Sequence, residues 1–213
     1  MVDEATPEAR RCGFIALIGA PNAGKSTLIN ALVGSKVAIV TPKVQTTRAL
    51  LRGIAMAGEA QLVLVDTPGI FAPRRRLDRA MVTTAWSGAH DADIVAVLID
   101  AKQGIDDQAE ALLKKLDEVR QPKVLILNKV DLVEKPRLLA LAQAANDAAR
   151  FDTTFMISAT KGDGVADVAE FARLGLAELD AARDLAVVDV EARYDTFCDH
   201  RQRFNRFIRW EAI

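Results

Sequence analysis

The 213 residues contain only two cysteines, Cys12 and Cys198, far apart, with no CxxC spacing and no clustered histidine beside either. That excludes a disulfide framework and offers no zinc site. The net charge is -1, so composition announces neither a basic field for nucleic acid nor an acidic disordered block. No apolar run approaches the roughly 20 residues of a membrane-spanning helix; the strand-like run Ile94–Ile99 stops at Asp100. The first residues, MVDEATPEARRC, are polar and acidic, unlike a secretory signal. Repeats and low-complexity tracts are also missing. A cytoplasmic protein is expected, and with 50% hydrophobic residues it has enough for one full core and a small appendage.

What is present alternates. Short apolar runs recur at Phe14–Ile18, Leu62–Val65, Ile94–Ile99, Val124–Leu127 and Thr154–Ile157, each too short for a lone helix. Between them, Lys25–Val33, Leu77–Ala89, Asp107–Val119, Arg137–Ala149 and Val165–Leu179 show helical spacing. In Asp107–Val119, Ala111, Leu112, Leu116 and Val119 form the apolar face, with Glu110, Lys114, Lys115, Asp117 and Glu118 toward water. The pattern predicts an α/β fold, a mostly parallel sheet with helices on both faces. The expected divisions are a tail over 1–12, a domain over 13–180 and a divergent tail over 181–213. Ligands in such folds sit beyond the carboxyl ends of the strands, and four polar clusters fall there.

The first cluster, Gly19-Ala20-Pro21-Asn22-Ala23-Gly24-Lys25-Ser26, followed by Thr27, fits GxxxxGK[ST] between a strand and a helix. Glycines let the backbone wrap phosphate oxygens and aim N–H groups inward, beside the positive end of the helix. Lys25 is the candidate for bridging terminal phosphates, and Ser26 for ligating magnesium. The plainer reading is a glycine turn before a capped helix. The loop alone does not choose between ATP and GTP.

Asn128-Lys129-Val130-Asp131 makes that choice. A carboxylate at Asp131 can accept from the ring N–H and the exocyclic amine of guanine, a donor pair that adenine lacks. Lys129 offers its stem to the base, and Asn128 can tie the strand end to the phosphate loop. In Ser158-Ala159-Thr160, the N–H of Ala159 is placed to meet the guanine carbonyl, although Ser and Thr also simply cap helices.

Asp66-Thr67-Pro68-Gly69 sets a carboxylate at a strand end, where it could hold magnesium through water, before a glycine whose N–H can sense a γ-phosphate. A plain turn is the alternative. Gln45-Thr46-Thr47-Arg48 lies in a polar stretch fit for a first switch. Thr47 is the candidate metal ligand there and Thr46 the alternative, against an ordinary exposed loop.

Taken together, GFIALIGAPNAGKSTLINALVG, TPKVQTTR, VDTPGIF, ILNKVDLV and ISATKGDGV resemble the Era family of bacterial ribosome-associated GTPases, over about Cys12 to Glu170. The resemblance implies a P-loop NTPase fold of the Ras-like G-domain type. It also implies a switch that hydrolyses GTP to GDP and phosphate with magnesium. Lys25, Thr47, Asn22 and Gly69 would serve catalysis. The implied setting is 16S rRNA processing and maturation of the 30S ribosomal subunit, with a peripheral membrane association.

Ile70 stands where Ras-like enzymes carry a water-orienting glutamine. Relatives with asparagine at the position of Asn22 use it to hold potassium near the β and γ phosphates, a cation that could compensate; the alternative is that Asn22 only stabilises the turn. Era proteins continue into an RNA-binding KH domain with a GxxG loop. Here no glycine follows Gly175 and 38 residues remain, so a truncated or frame-shifted product is expected. The segment His200–Trp210 interleaves arginines with Phe204, Phe207 and Trp210, a composition able to stack on RNA but equally that of a helix face lacking its partner. The rival to a hydrolysing switch is a non-catalytic GTP-binding interaction module.

Overall fold

The computed structural model describes residues 11–38, 51–58, 60–67, 82 and 85–184. Among the described residues six strands form one sheet, in the order β2-β3-β1-β4-β5-β6. They are β1 (Arg11–Gly19), β2 (Leu51–Ala57), β3 (Ala60–Asp66), β4 (Ile94–Asp100), β5 (Lys123–Asn128) and β6 (Thr153–Ile157). All neighbours pair parallel except β2, which runs antiparallel to β3. Among the described residues, besides the helical stretch at 85–90, the helices are α1 (Lys25–Val33), α2 (Asp107–Lys115), α3 (Lys135–Ala148) and α4 (Val165–Asp184). The architecture is thus the α/β one expected of the alternating runs. The chain divides into two units, Met1–Leu176 and Ala177–Ile213, the second described only over the end of α4.

Period two along each strand explains why both faces are covered. On one face Ile18, Val97, Ile99, Leu125 and Leu127 pack with Leu112 and Leu116, and with Leu138 and Leu141 of α3. On the other face Ile15, Leu17, Leu64 and Ile126 meet Leu28 of α1 and Val168 of α4. Burying each such side chain contributes about 1.5–3 kcal/mol. Helix α4 approaches β1 closely because residue 13 is glycine: a Cβ there would lie 2.0 Å from Leu176 Cδ2.

Helix α2 is fixed by the Asp106 carboxylate, which accepts from Ala109 N–H, and by acidic residues in its first turn and lysines in its last. Its buried face is set by Ala109, Leu112 and Leu113, continued by Leu116 and Val119; the expected face holds except at Ala111, which is exposed. The helix closes at Lys115 into a 3₁₀ turn, Leu116–Glu118. Helix α3 starts at Lys135, two residues before the expected Arg137, because a proline in the first turn costs no hydrogen bond. Strand β1 takes in Arg11 and Cys12, which were expected in the tail. Of the helix expected at Leu77–Ala89, residues 82 and 85–89 are helical and the others lie outside the described residues. So does the segment 185–213.

The five parallel strands end at one rim, bringing Gly19, Asp66, Asp100, Asn128 and the residues after Ile157 together.

Candidate nucleotide-binding site

The phosphate loop is built on two close approaches. A Cβ at Gly19 would lie 2.4 Å from Leu98 O, and one at Gly24, where φ is 103°, would lie 2.1 Å from Asn128 Nδ2. The loop therefore requires glycine at both ends. Between them Ala20 and Pro21 turn the chain, Asn22 takes φ 61° and Ala23 is buried. Asparagine tolerates this left-handed conformation better than most residues, which is what a turn-stabilising role of Asn22 needs.

Helix α1 starts at Lys25, with Ser26 and Thr27 in its first turn. The buried Lys25 ammonium donates to Gly19 O and Ala20 O, each at 3.0 Å. Burial pushes its pKa down from 10.5 to about 8, while the carboxylate of Asp66 pulls the other way. Ser26 Oγ donates to Asp66 Oδ2 at 2.7 Å. The Thr67 side chain turns inward: its hydroxyl donates to Leu17 O at 2.7 Å and the residue is fully buried, so it ties β3 to β1.

At the end of β5, Asn128 is 2% exposed and spends both ends of its amide. Nδ2 donates to Ala23 O at 2.9 Å, and Oδ1 accepts from Ala159 N–H at 3.0 Å. One side chain thus joins the phosphate loop, β5 and the loop after β6. The second bond engages the same Ala159 N–H that was expected to meet the guanine carbonyl. Lys129, at φ 66°, donates to Asn22 O at 2.9 Å and pairs with Asp100 Oδ2 at 2.6 Å.

Val130 and Asp131 begin a 3₁₀ turn, Val130–Leu132. A hydrogen bond from Ser158 holds the Asp131 carboxyl below the usual carboxylate range, helped by Lys161, whose Nζ lies 3.5 Å from Oδ2. Ser158 and Ala159 are buried, and Thr160 is exposed in the turn that follows. Thr46, Thr47, Pro68, Gly69 and Ile70 lie outside the described residues. Asp100 was not anticipated. A lone aspartate ending an apolar run carries no motif, and the parallel register that sets it beside Asn128 is the signal that finds it.

The model of a family described as 50S ribosome-binding GTPase matches residues 14–129. The chain belongs to this family. Within it, the chain is similar to the GTPase Era of Bradyrhizobium sp. (strain ORS 278), 64% identical over 176 residues, 83% of this chain and 56% of the relative. The GTPase Era of Brucella suis biovar 1 (strain 1330) is 68% identical over 161 residues, 76% of this chain and 52% of the relative. The chain spans about half the length of the curated relatives it matches.

Among solved structures, Era in complex with MgGDPNP and nucleotides 1506–1542 of 16S ribosomal RNA aligns with a TM-score of 0.72 at 30% identity, over 77% of this chain and 56% of that one. An Aquifex aeolicus Era variant bound to GDP.AlF4- aligns at 0.71 and 32%, over 76% and 56%. The rim residues from Gly19 to Lys129 lie within the part of the chain that the family model matches.

Proposed function

We propose that the chain binds GTP and GDP along this rim and hydrolyses GTP to GDP and phosphate as a molecular switch. The observation that carries the reading is Asn128, whose buried amide locks the phosphate loop and the loop after β6 around the base-reading carboxylate of Asp131. Asp131 is held ionised by Ser158, as an acceptor for the two N–H donors of guanine must be. Adenine would leave that carboxylate without its partners.

Magnesium fits the residues present. The Ser26 hydroxyl and the Asp66 carboxylate lie 2.7 Å apart, a hard-oxygen donor pair of the type magnesium takes alongside phosphate oxygens and water. Ser26 and Asp66 would hold it, with Thr47 as the candidate third ligand. The ion neutralises charge on the phosphates. Lys25 would give up its loop carbonyls for the terminal phosphates, and the Gly69 N–H would report the γ-phosphate. With Ile70 unable to handle a proton, the attacking water would be oriented by backbone or by another group, and a potassium ion at Asn22 would lower the barrier as a fixed charge does.

The Era structure in complex with 16S ribosomal RNA supports an RNA-linked role for this chain; a part in 30S subunit assembly, in the cytoplasm with a peripheral membrane contact, is the further reading from the resemblance. Single-turnover hydrolysis of GTP, with and without magnesium and in potassium or sodium, tests the proposal. Phosphate release that needs magnesium and is faster in potassium is expected. Tight GTP binding with no release would make the chain a non-catalytic binding module. Cosedimentation with 30S subunits and with anionic vesicles separates the RNA and membrane readings.

A further inference from the structure

We infer that Asp100 is a positioning residue of the nucleotide site, acting through Lys129 on the phosphate loop. The inference rests on the guanine-nucleotide reading above and extends it to a residue outside the motifs.

Asp100 closes β4, between the strands that carry the phosphate loop and Asn128. Its two carboxylate oxygens do different work. Oδ1 accepts from Lys102 N–H at 2.9 Å and Gln103 N–H at 3.3 Å, which fixes the side chain within its own turn. Oδ2 takes the Lys129 ammonium at 2.6 Å, and the same ammonium donates to Asn22 O at 2.9 Å. The carboxylate side chain is 12% exposed and the lysine 31%, so the pair is shielded from water on most sides.

Asn22 and Lys129 are also the two non-glycine residues with positive φ among the described residues, at 61° and 66°. Left-handed backbone at such residues persists where surrounding bonds over-determine it. Here the two strained residues are bonded to each other, and Asp100 is the charge that anchors the bond. The chain of contacts from β4 through Lys129 to Asn22 O thus presets the loop and holds the lysine stem across the base side before a nucleotide enters.

The test is a cycle of variants in the full chain. Asp100→Asn keeps the Oδ1 acceptor and the turn but removes the charge. Lys129→Met keeps the apolar stem and removes the ammonium. Dissociation of a fluorescent GDP analogue is expected to speed up roughly tenfold in Asp100→Asn. In the Lys129→Met background, the same change is expected to add less than about twofold, since its route has been cut. Amide exchange at residues 20 and 22–24 of the protein without nucleotide should rise in Asp100→Asn and in Lys129→Met alike. A full additional loss in the Lys129→Met background, or unchanged exchange in the loop, would overturn the inference. Failure of the unaltered chain to bind guanine nucleotide would instead overturn the reading of the site, because exchange reports the clamp by itself.

Discussion

Around Asn128 the rim is tied by bonds between framework groups, whereas around Lys25 the groups placed for a ligand bond to one another. The Asn128 amide spends both ends on backbone, and Lys129 bridges Asn22 O and Asp100. Those bonds have no need to break for a base to dock against Asp131. On the phosphate side, Lys25 holds two carbonyls of its own loop and Ser26 holds Asp66. Any phosphate or metal must exchange those partners. On the proposed reading the base side is thus preorganised, and the phosphate side is the one that pH and metal would tune.

The largest effect should come from breaking the framework. Gly24→Ala places a methyl 2.1 Å from Asn128 Nδ2 and strains a φ of 103°, so guanine-nucleotide affinity should fall about a hundredfold or more, read by GDP-analogue dissociation. Asp131→Asn should weaken GDP by roughly a hundredfold while improving xanthine diphosphate, whose 2-oxo group accepts where guanine donates. Retained GDP preference in that variant would remove Asp131 from base recognition. Ser26→Ala should cost about tenfold in GTP affinity with magnesium and little in its absence, which isolates the metal side.

The smallest effect is a proton count. Burial pushes the Lys25 ammonium down to about 8 in the folded chain, from 10.5 when unfolded. Between those values the unfolded chain holds the extra proton, so burying Lys25 costs stability below pH 8, and rising pH relieves that cost up to about 10.5. Phosphate requires the ammonium, so binding should take up about half a proton at pH 8 and nearly none at pH 6. Calorimetry in buffers of different ionisation enthalpy measures this. No uptake at pH 8 would mean that Lys25 is already fully charged.

Five strands and the rim they build were legible in the sequence because parallel strands, buried on both faces, read as plain apolar runs. Strand β2 was not. Its inward positions are Gly53 and Ala55, while Ile54 and Met56 are exposed, so its polarity pattern runs opposite to its burial. Gly53 is small because a Cβ there would press on Ile29 Cγ2 at 2.8 Å, a constraint that lives in tertiary packing.

The phase of α2 slipped at alanine, which weighs little in any amphipathic pattern: Ala109 is buried and Ala111 is not. Among site residues, motifs located Lys25, Ser26, Asp66, Asn128 and Asp131 but could not say which atoms each would touch. The inward turn of Thr67, the capture of Ala159 N–H by Asn128 and the anchoring role of Asp100 depend on register between strands distant in sequence.

The most direct test is competition against a bound fluorescent GDP analogue. GDP and GTP should displace it at stoichiometric concentrations, and ADP and ATP should fail at about a thousandfold excess. Displacement by ADP as effective as by GDP would contradict the account, because a preorganised Asp131 could not then be reading the base.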